Sequence, residues 1–213
     1  MSVKLITSEK EKYSWKTPAT LSFFFALLCL PGLSKPLNGD EALTYLEHIT
    51  AAPSQLLFQY VGNNQHSLFS ILSNASMRIF GEHEVAFRLP VFIAAVISVF
   101  LIHRLGQCFG NFRAATFASI LMIGSAPHLY WAQHGRGYAL TEMLALVNVF
   151  GAILLLEEKS SNRGTWILIL SGFALCITLP SNAYFLPGLR FSFSFRPMGI
   201  EKSWESCFMA SAG

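Results

Sequence analysis

Two short clusters hold most of the side chains able to move a proton or bind an anion. Asp40-Glu41 follows the first long apolar run of the chain. A carboxylate within hydrogen-bond reach of a hydroxyl can take its proton, provided the acid is ionised near neutral pH. The second cluster is Gln133-His134-Gly135-Arg136-Gly137-Tyr138. A guanidinium offers a planar fork that suits a phosphate. Each cluster also has a structural explanation. Asn38 with Glu41 three residues on makes a capping box, and acids favour a helix N-terminus. Such a cap would fix the Glu41 carboxylate and leave its second oxygen free. Arg136 beside Tyr130, Trp131 and Tyr138 fits an interfacial anchor within an aromatic belt. What favours chemistry is convergence, and that depends on the elements carrying the clusters.

Those elements are apolar helices. Of 213 residues, 53% are hydrophobic and 13% charged, and the mean hydropathy is +0.46. A soluble domain usually carries about 25% charged residues. The net charge of +3 is small and scattered, which argues against a nucleic-acid partner and leaves membrane lipids as the expected surroundings. A crossing helix needs about 20 mostly apolar residues. Five stretches approach this: Thr17 to Leu33, about Val85 to His103, Ala114 to Trp131, Tyr138 to Leu156, and Thr165 to Leu186. With every backbone group to be satisfied internally, all five are expected to be helices. The fold class is therefore all-α and polytopic.

Lys and Arg flanking the spans set orientation. Lys4, Lys10, Lys12 and Lys16 precede the first span, and Arg104, Arg113, Lys159 and Arg163 lie in the short loops 104–113 and 157–164. These belong on the cytoplasmic side. The 34–84 loop and the 132–137 turn then lie outside, with Asp40, His66 and Arg136 on one membrane face. The Lys-rich start followed by an apolar run also resembles a secretory signal peptide. Leu33-Ser34-Lys35 is a poor match to a small-residue cleavage site, which favours an uncleaved first span.

The outer loop is too long for a simple connector. Leu43, Leu46 and Ile49 repeat at helical spacing, and Leu68, Ile71, Leu72, Ala75 and Ile79 form an apolar stripe with Ser67, Ser70, Ser73 and Asn74 mostly off it. Two amphipathic helices lying in the membrane interface, over 41–49 and 66–80, are predicted. Pro53 and Gly62-Asn63-Asn64 read as loop and turn, and Asn74-Ala75-Ser76 matches the N-glycosylation acceptor pattern. Cys29, Cys108, Cys176 and Cys207 form no CxxC pair and read as packing residues.

Four segments in order carry a family resemblance: Asp40-Glu41-Ala42 after the first span, Asn64-Gln65-His66-Ser67-Leu68, the run from Phe80 to Pro90, and the run from Pro127 to Tyr138. Over roughly residues 13–188 the chain resembles the GT-C membrane glycosyltransferases, in particular the protein O-mannosyltransferase, aminoarabinose-transferase and rhizobial lipopolysaccharide glycosyltransferase group. The resemblance implies a polyprenyl-phosphate sugar donor and inverting transfer to an extracytoplasmic lipid, polysaccharide or protein, at the plasma (inner) membrane. It implies Asp40 as general base, with Glu41 orienting the acceptor or a divalent metal near Asp40. Arg136 would stabilise the leaving lipid phosphate, with Gln133 and Tyr138 also binding substrate. His66 either contacts acceptor or phosphate, or caps the interfacial helix. Two positions depart from the family pattern. Ser67 stands where a proline is common, and His134-Gly135 stands where Glu-Ala is common, which removes any acidic role at 134.

Relatives have about twice as many spans, so 1–188 reads as the N-terminal part of such a membrane domain. Residues 189–213 read as an irregular tail from truncation or frameshift, which leaves open whether the short chain is active alone. The other class is a polytopic transporter or lipid flippase, which places ionisable groups at the bilayer midplane. Arg88, His103 and Glu142 lie near span ends instead. A non-catalytic membrane scaffold is the third reading.

Overall fold

Helix α1, Lys16–Leu33, is apolar on every side. Ser22, Phe25, Cys29 and Gly32 form its buried face, while Phe23, Phe24, Leu27, Leu28 and Leu30 point outward. An all-round apolar helix belongs in a core or in lipid. The computed structural model describes residues 15–49, 53–58, 65–109, 112–157 and 162–185, and these contain helices and no strand. After α1 come α2 (Gly39–Thr44), continued by a π-helical turn Tyr45–Ile49, then α3 (Pro53–Phe58) and α4 (Ser67–Phe80). The long α5 (Glu84–Phe109) leads to α6 (Phe112–Ile123) and α7 (Ala126–Ala132), then α8 (Tyr138–Glu157) and α9 (Asn162–Thr178). A 3-10 turn, Pro180–Tyr184, closes the described chain.

Three helices are long and apolar enough to cross a membrane: Lys16–Leu33, Glu84–Cys108 and Tyr138–Leu155. Two expected spans take another form. The stretch 114–131 is broken: α6 stops at Ile123, Ser125 is extended, and Pro127 stands in the first turn of α7. Pro127 has no N–H to return to the Ile123 carbonyl, and the break falls at Gly124-Ser125, where weak helix formers add to that loss. Helices α1 and α5 run through Pro31 and Pro90 without such a pair beside them. The stretch 165–186 gives a 17-residue helix that ends at Thr178. Leu179 is extended because Pro180 follows it.

The core centres on α5. Val91, Ala94, Ala95, Ser98 and Val99 are buried there, mostly small residues that let neighbouring helices approach closely. Helices α1, α4, α6 and α8 pack around it, and α9 packs on α8. Between α8 and α9, Gly151 and Gly164 allow close contact, and Asn148 Nδ2 donates to Ser171 Oγ (2.8 Å) and to the Leu168 carbonyl (3.0 Å).

The 34–84 segment holds more helix than expected, with α3 added and a π-helical turn ending the first amphipathic segment. Helix α4 is inside-out by the standard of a soluble protein. Ser70, Ser73 and Ser76 are buried with Phe69 and Met77, whereas Leu72, Ala75 and Phe80 face outward and Ile79 is 73% exposed. Ser73 Oγ donates to the Phe87 carbonyl at 2.8 Å, in the turn of α5 that Pro90 loosens. The acceptor triplet at 74–76 is helical, and its two polar side chains turn inward: Asn74 Nδ2 donates to the Ile49 carbonyl at 2.6 Å and Ser76 is buried. That amide is already committed. Cys29 and Cys176 are free thiols, while Cys207 and the tail 189–213 lie outside the described residues.

Candidate functional site

The C-terminus of α1 and the N-termini of α5 and α8 lie at one end of the bundle, because side chains from all three regions meet there. The predicted capping box is present: Asn38 N donates to Glu41 Oε2 (3.0 Å) and Glu41 N donates to Asn38 Oδ1 (2.9 Å). Its second oxygen is not free as the sequence suggested. Glu41 is fully buried, and Oε1 accepts from Arg88 Nε (2.8 Å) and Gly135 N (2.6 Å), while Oε2 also accepts from Arg88 Nη2 (2.7 Å). Burial alone would push the Glu41 carboxyl up, but Arg88 and the Gly135 and Asn38 amides together hold it below the ordinary glutamate range. Glu41 is a structural anion whose oxygens are all occupied.

Arg88 is the residue that sequence reasoning missed, since an Arg-Leu-Pro triplet carries little information. Its guanidinium also donates to carbonyls left open at the end of α1 and just beyond: Gly32 (3.4 Å), Leu33 (2.9 Å), Lys35 (2.5 Å) and Pro36 (3.2 Å). A cation here satisfies orphan carbonyls and meets the negative end of the helix dipole. The Glu41–Arg88 pair thus ties together α1, α2, α5 and the 133–137 turn.

Two glycines let that turn close. A Cβ on Gly135 would lie 1.9 Å from Phe87 Cε1, and one on Gly137 would lie 2.8 Å from His66 Nδ1 and 2.9 Å from Thr178 Cγ2. No side chain fits at either position. The flanking residues are consequently delivered to fixed places. Asp40, next to Glu41, and Arg136, next to Gly135, form an ion pair with Arg136 Nη1 to Asp40 Oδ2 at 3.1 Å. The Asp40 side chain is 72% exposed and that of Arg136 is 8% exposed. The anion faces out, and the cation is held from behind.

His66 does the holding. Arg136 Nε donates to His66 Nε2 at 3.1 Å. A guanidinium has no acceptor, so Nε2 must offer its lone pair, which makes the ring neutral with its proton on Nδ1. Burial, then the charge of Arg136, then His48 push the His66 pKa down to about 4. His66 stands at the N-cap position of α4, yet its side chain makes no capping bond. His48 is buried close by with neither ring nitrogen bonded, and its pKa is lowered by burial, partly offset by Glu47, with Arg136 acting in the same direction as burial. Gln65 supports the loop, donating to the Leu56 carbonyl (2.9 Å) and Ser67 Oγ (3.1 Å).

The remaining site residues are near neighbours. Tyr138 takes the edge of His66 (centroids 5.1 Å, 68°) and lies 5.8 Å from the Arg136 guanidinium carbon. Gln133 packs on Gly32, where a Cβ would lie 1.9 Å from its Oε1. His134 is bonded to the Tyr130 carbonyl through Nδ1 at 2.6 Å. The structure thus brings Asp40, His66, Arg136 and Tyr138 into one cluster and gives Glu41 and Gln133 to its framework. Among the described residues, no three His, Cys, Asp or Glu side chains converge as a metal would require. Comparison with protein families, with curated proteins and with solved structures finds nothing that matches this chain.

Proposed function

We propose that the chain is part of a multi-pass membrane glycosyltransferase of the GT-C kind, acting outside the membrane on a polyprenyl-phosphate sugar. The observation that carries this reading is the Asp40–Arg136 pair. An exposed carboxylate and a braced guanidinium, far apart in sequence, meet at 3.1 Å where three helix ends converge. In this proposal the broken α6–α7 unit and the shorter α9 complete five spans, the N-terminus is cytoplasmic, and α2 and α4 lie in the outer interface.

The chemistry divides between the two charges. Asp40 takes the proton of the acceptor hydroxyl as that oxygen attacks the anomeric carbon. The bond from the anomeric carbon to the phosphate oxygen breaks, and the lipid phosphate leaves as an anion. Arg136 faces the charge that develops on it. His66 holds the guanidinium by its Nε while Asp40 pairs with its Nη1, which fixes the cation beside the carboxylate. Glu41 takes a positioning role, setting where Asp40 and Gly135 stand.

The test is transfer from polyprenyl-phosphate sugars by the chain in liposomes, measured per mole of folded protein. Asp40→Asn keeps the side-chain shape and should lose about 10²–10⁴-fold. Full activity in Asp40→Asn ends the assignment. A transporter or flippase has one observation in its favour, the buried His128 bonded to Glu142 at 2.7 Å. That pair lies between α7 and the first turns of α8, away from a span centre.

A further inference from the structure

Beside the ion pair lies a surface of mutually packed rings that the proposed chemistry does not use. Tyr130 and His134 stack face to face with centroids 3.7 Å apart and an interplanar angle of 19°. Trp131 stands edge-on to Tyr130 (4.8 Å, 83°) and tilts onto Tyr138 (4.2 Å, 45°). Tyr138 reaches the Arg136 guanidinium, and Arg136 reaches Asp40. The rings are not buried: Tyr130 is 47% and Tyr138 37% exposed.

Anchoring in the membrane interface accounts for single tyrosines and tryptophans at helix ends. It does not require four rings packed on one another beside an exposed acid paired with a buried arginine. Nor does a hydrocarbon chain fit as the occupant. Laid over this surface it would take the Asp40–Arg136 pair out of water without offering either group a hydrogen bond, and desolvating an ion pair is costly. The exposed Asp40 carboxylate is already neutralised by Arg136 at 3.1 Å, so the site has no net charge to offer a cationic ligand. The complementary ligand is neutral, with C–H groups on one face and hydroxyls on its rim. A pyranose has that form: its axial C–H bonds meet the electron-rich ring faces, and its equatorial hydroxyls reach the carboxylate and guanidinium.

From this we infer that Tyr130, Trp131 and Tyr138 form a seat for a sugar ring, with Asp40 and Arg136 taking its hydroxyls. The inference rests on the glycosyltransferase reading for its biological context, but it concerns binding alone. Trp131 reports on its own occupancy once Trp15, Trp166 and Trp204 are replaced by Phe. The full chain in nanodiscs is titrated with a panel of methyl pyranosides, with mannitol as an open-chain polyol and with farnesyl phosphate.

A saturable change in Trp131 emission is expected with at least one glycoside and not with mannitol. Tyr138→Ala should raise its midpoint at least tenfold, and Tyr138→Phe, which keeps the ring, less than threefold. Tyr130→Ala, at a more exposed position, serves if Tyr138→Ala does not fold, with the same expected direction. No saturable response to any glycoside, an equal response to mannitol, or a response to farnesyl phosphate alone overturns the sugar seat. Failure of the wider reading looks different. Glycoside binding without Asp40-dependent transfer leaves the seat and removes the transferase; Asp40-dependent transfer indifferent to Tyr130 and Tyr138 removes the seat only.

Discussion

Replacing Arg88 by Met removes a buried cation while keeping much of its aliphatic volume. The loss can be worked from its partners. Glu41 is fully buried, and it would keep only the Gly135 and Asn38 amides as donors. Breaking a buried pair from one side usually costs about 3–5 kcal/mol because the other charge is left uncompensated. The carbonyls of Leu33, Lys35 and Pro36 would also lose a donor. Each is worth about 1 kcal/mol if water or backbone adjustment replaces part of the bond. Arg88→Met is therefore expected to destabilise by at least about 4 kcal/mol. Arg88→Lys keeps the charge without the fork and should lie between the two. Unfolding in mixed micelles, followed by circular dichroism, gives the stabilities, and a cycle with Glu41→Gln separates pair from context. Removing both charges should recover about 2 kcal/mol or more relative to the sum of the single losses. Additive losses, or an Arg88→Met cost below about 1 kcal/mol, would refute the view that this pair organises the site.

Three further expectations follow from the same geometry. Below pH 6.5 the unfolded chain protonates His66 while the folded chain resists until about pH 4, so the folded state binds fewer protons and loses stability as pH falls through that window, by up to about 3 kcal/mol; micelle unfolding at pH 7 and pH 5 should show this, with a smaller difference in His66→Asn, and an unchanged difference would remove the assignment to His66. Gly135→Ala should cost about 1–3 kcal/mol by overpacking against Phe87, whereas Gly39→Ala, with nothing within 4 Å of its added Cβ, should be neutral or slightly stabilising in the same assay; equal effects would contradict the close fit of the turn. Single cysteines at 40 and 130, both exposed positions, in a chain lacking the native thiols should label from the same side with an impermeant reagent, and that side should be outside; protection of either until the membrane is broken would overturn the orientation proposed from the Lys/Arg bias.

The parts legible in the sequence are those fixed by short-range rules. Asn38 and Glu41 are three residues apart, and their reciprocal bonds follow from that spacing alone. The apolar lengths of Lys16–Leu33, Glu84–Cys108 and Tyr138–Leu155 were likewise readable. Arg88 was not, because its meaning lies in Glu41 and in the end of α1, partners supplied only by folding. The break before Pro127 was readable in principle, yet the apolar run across it outweighed a single proline. The facing of α4 could not come from periodicity, which finds a stripe but not what the stripe touches. Ser73 meets a carbonyl of α5 at Phe87, while Ser70 and Ser76 are buried with no bond to their hydroxyls. The neutrality of His66 was equally hidden, since it depends on which atom of Arg136 points at it.

The interruption between α6 and α7 bears on how the polypeptide enters its membrane. A helix of 12 residues is about 18 Å long, well short of the roughly 30 Å of hydrocarbon it would have to cross. During synthesis, however, residues 112–132 emerge as one nearly unbroken apolar stretch, and insertion machinery that weighs hydrophobicity along the chain meets a single acceptable segment. The bend can settle only afterwards, once α1 and α5 flank α6 and α5 and α8 flank α7. Biogenesis and final shape thus follow different readings of the same residues.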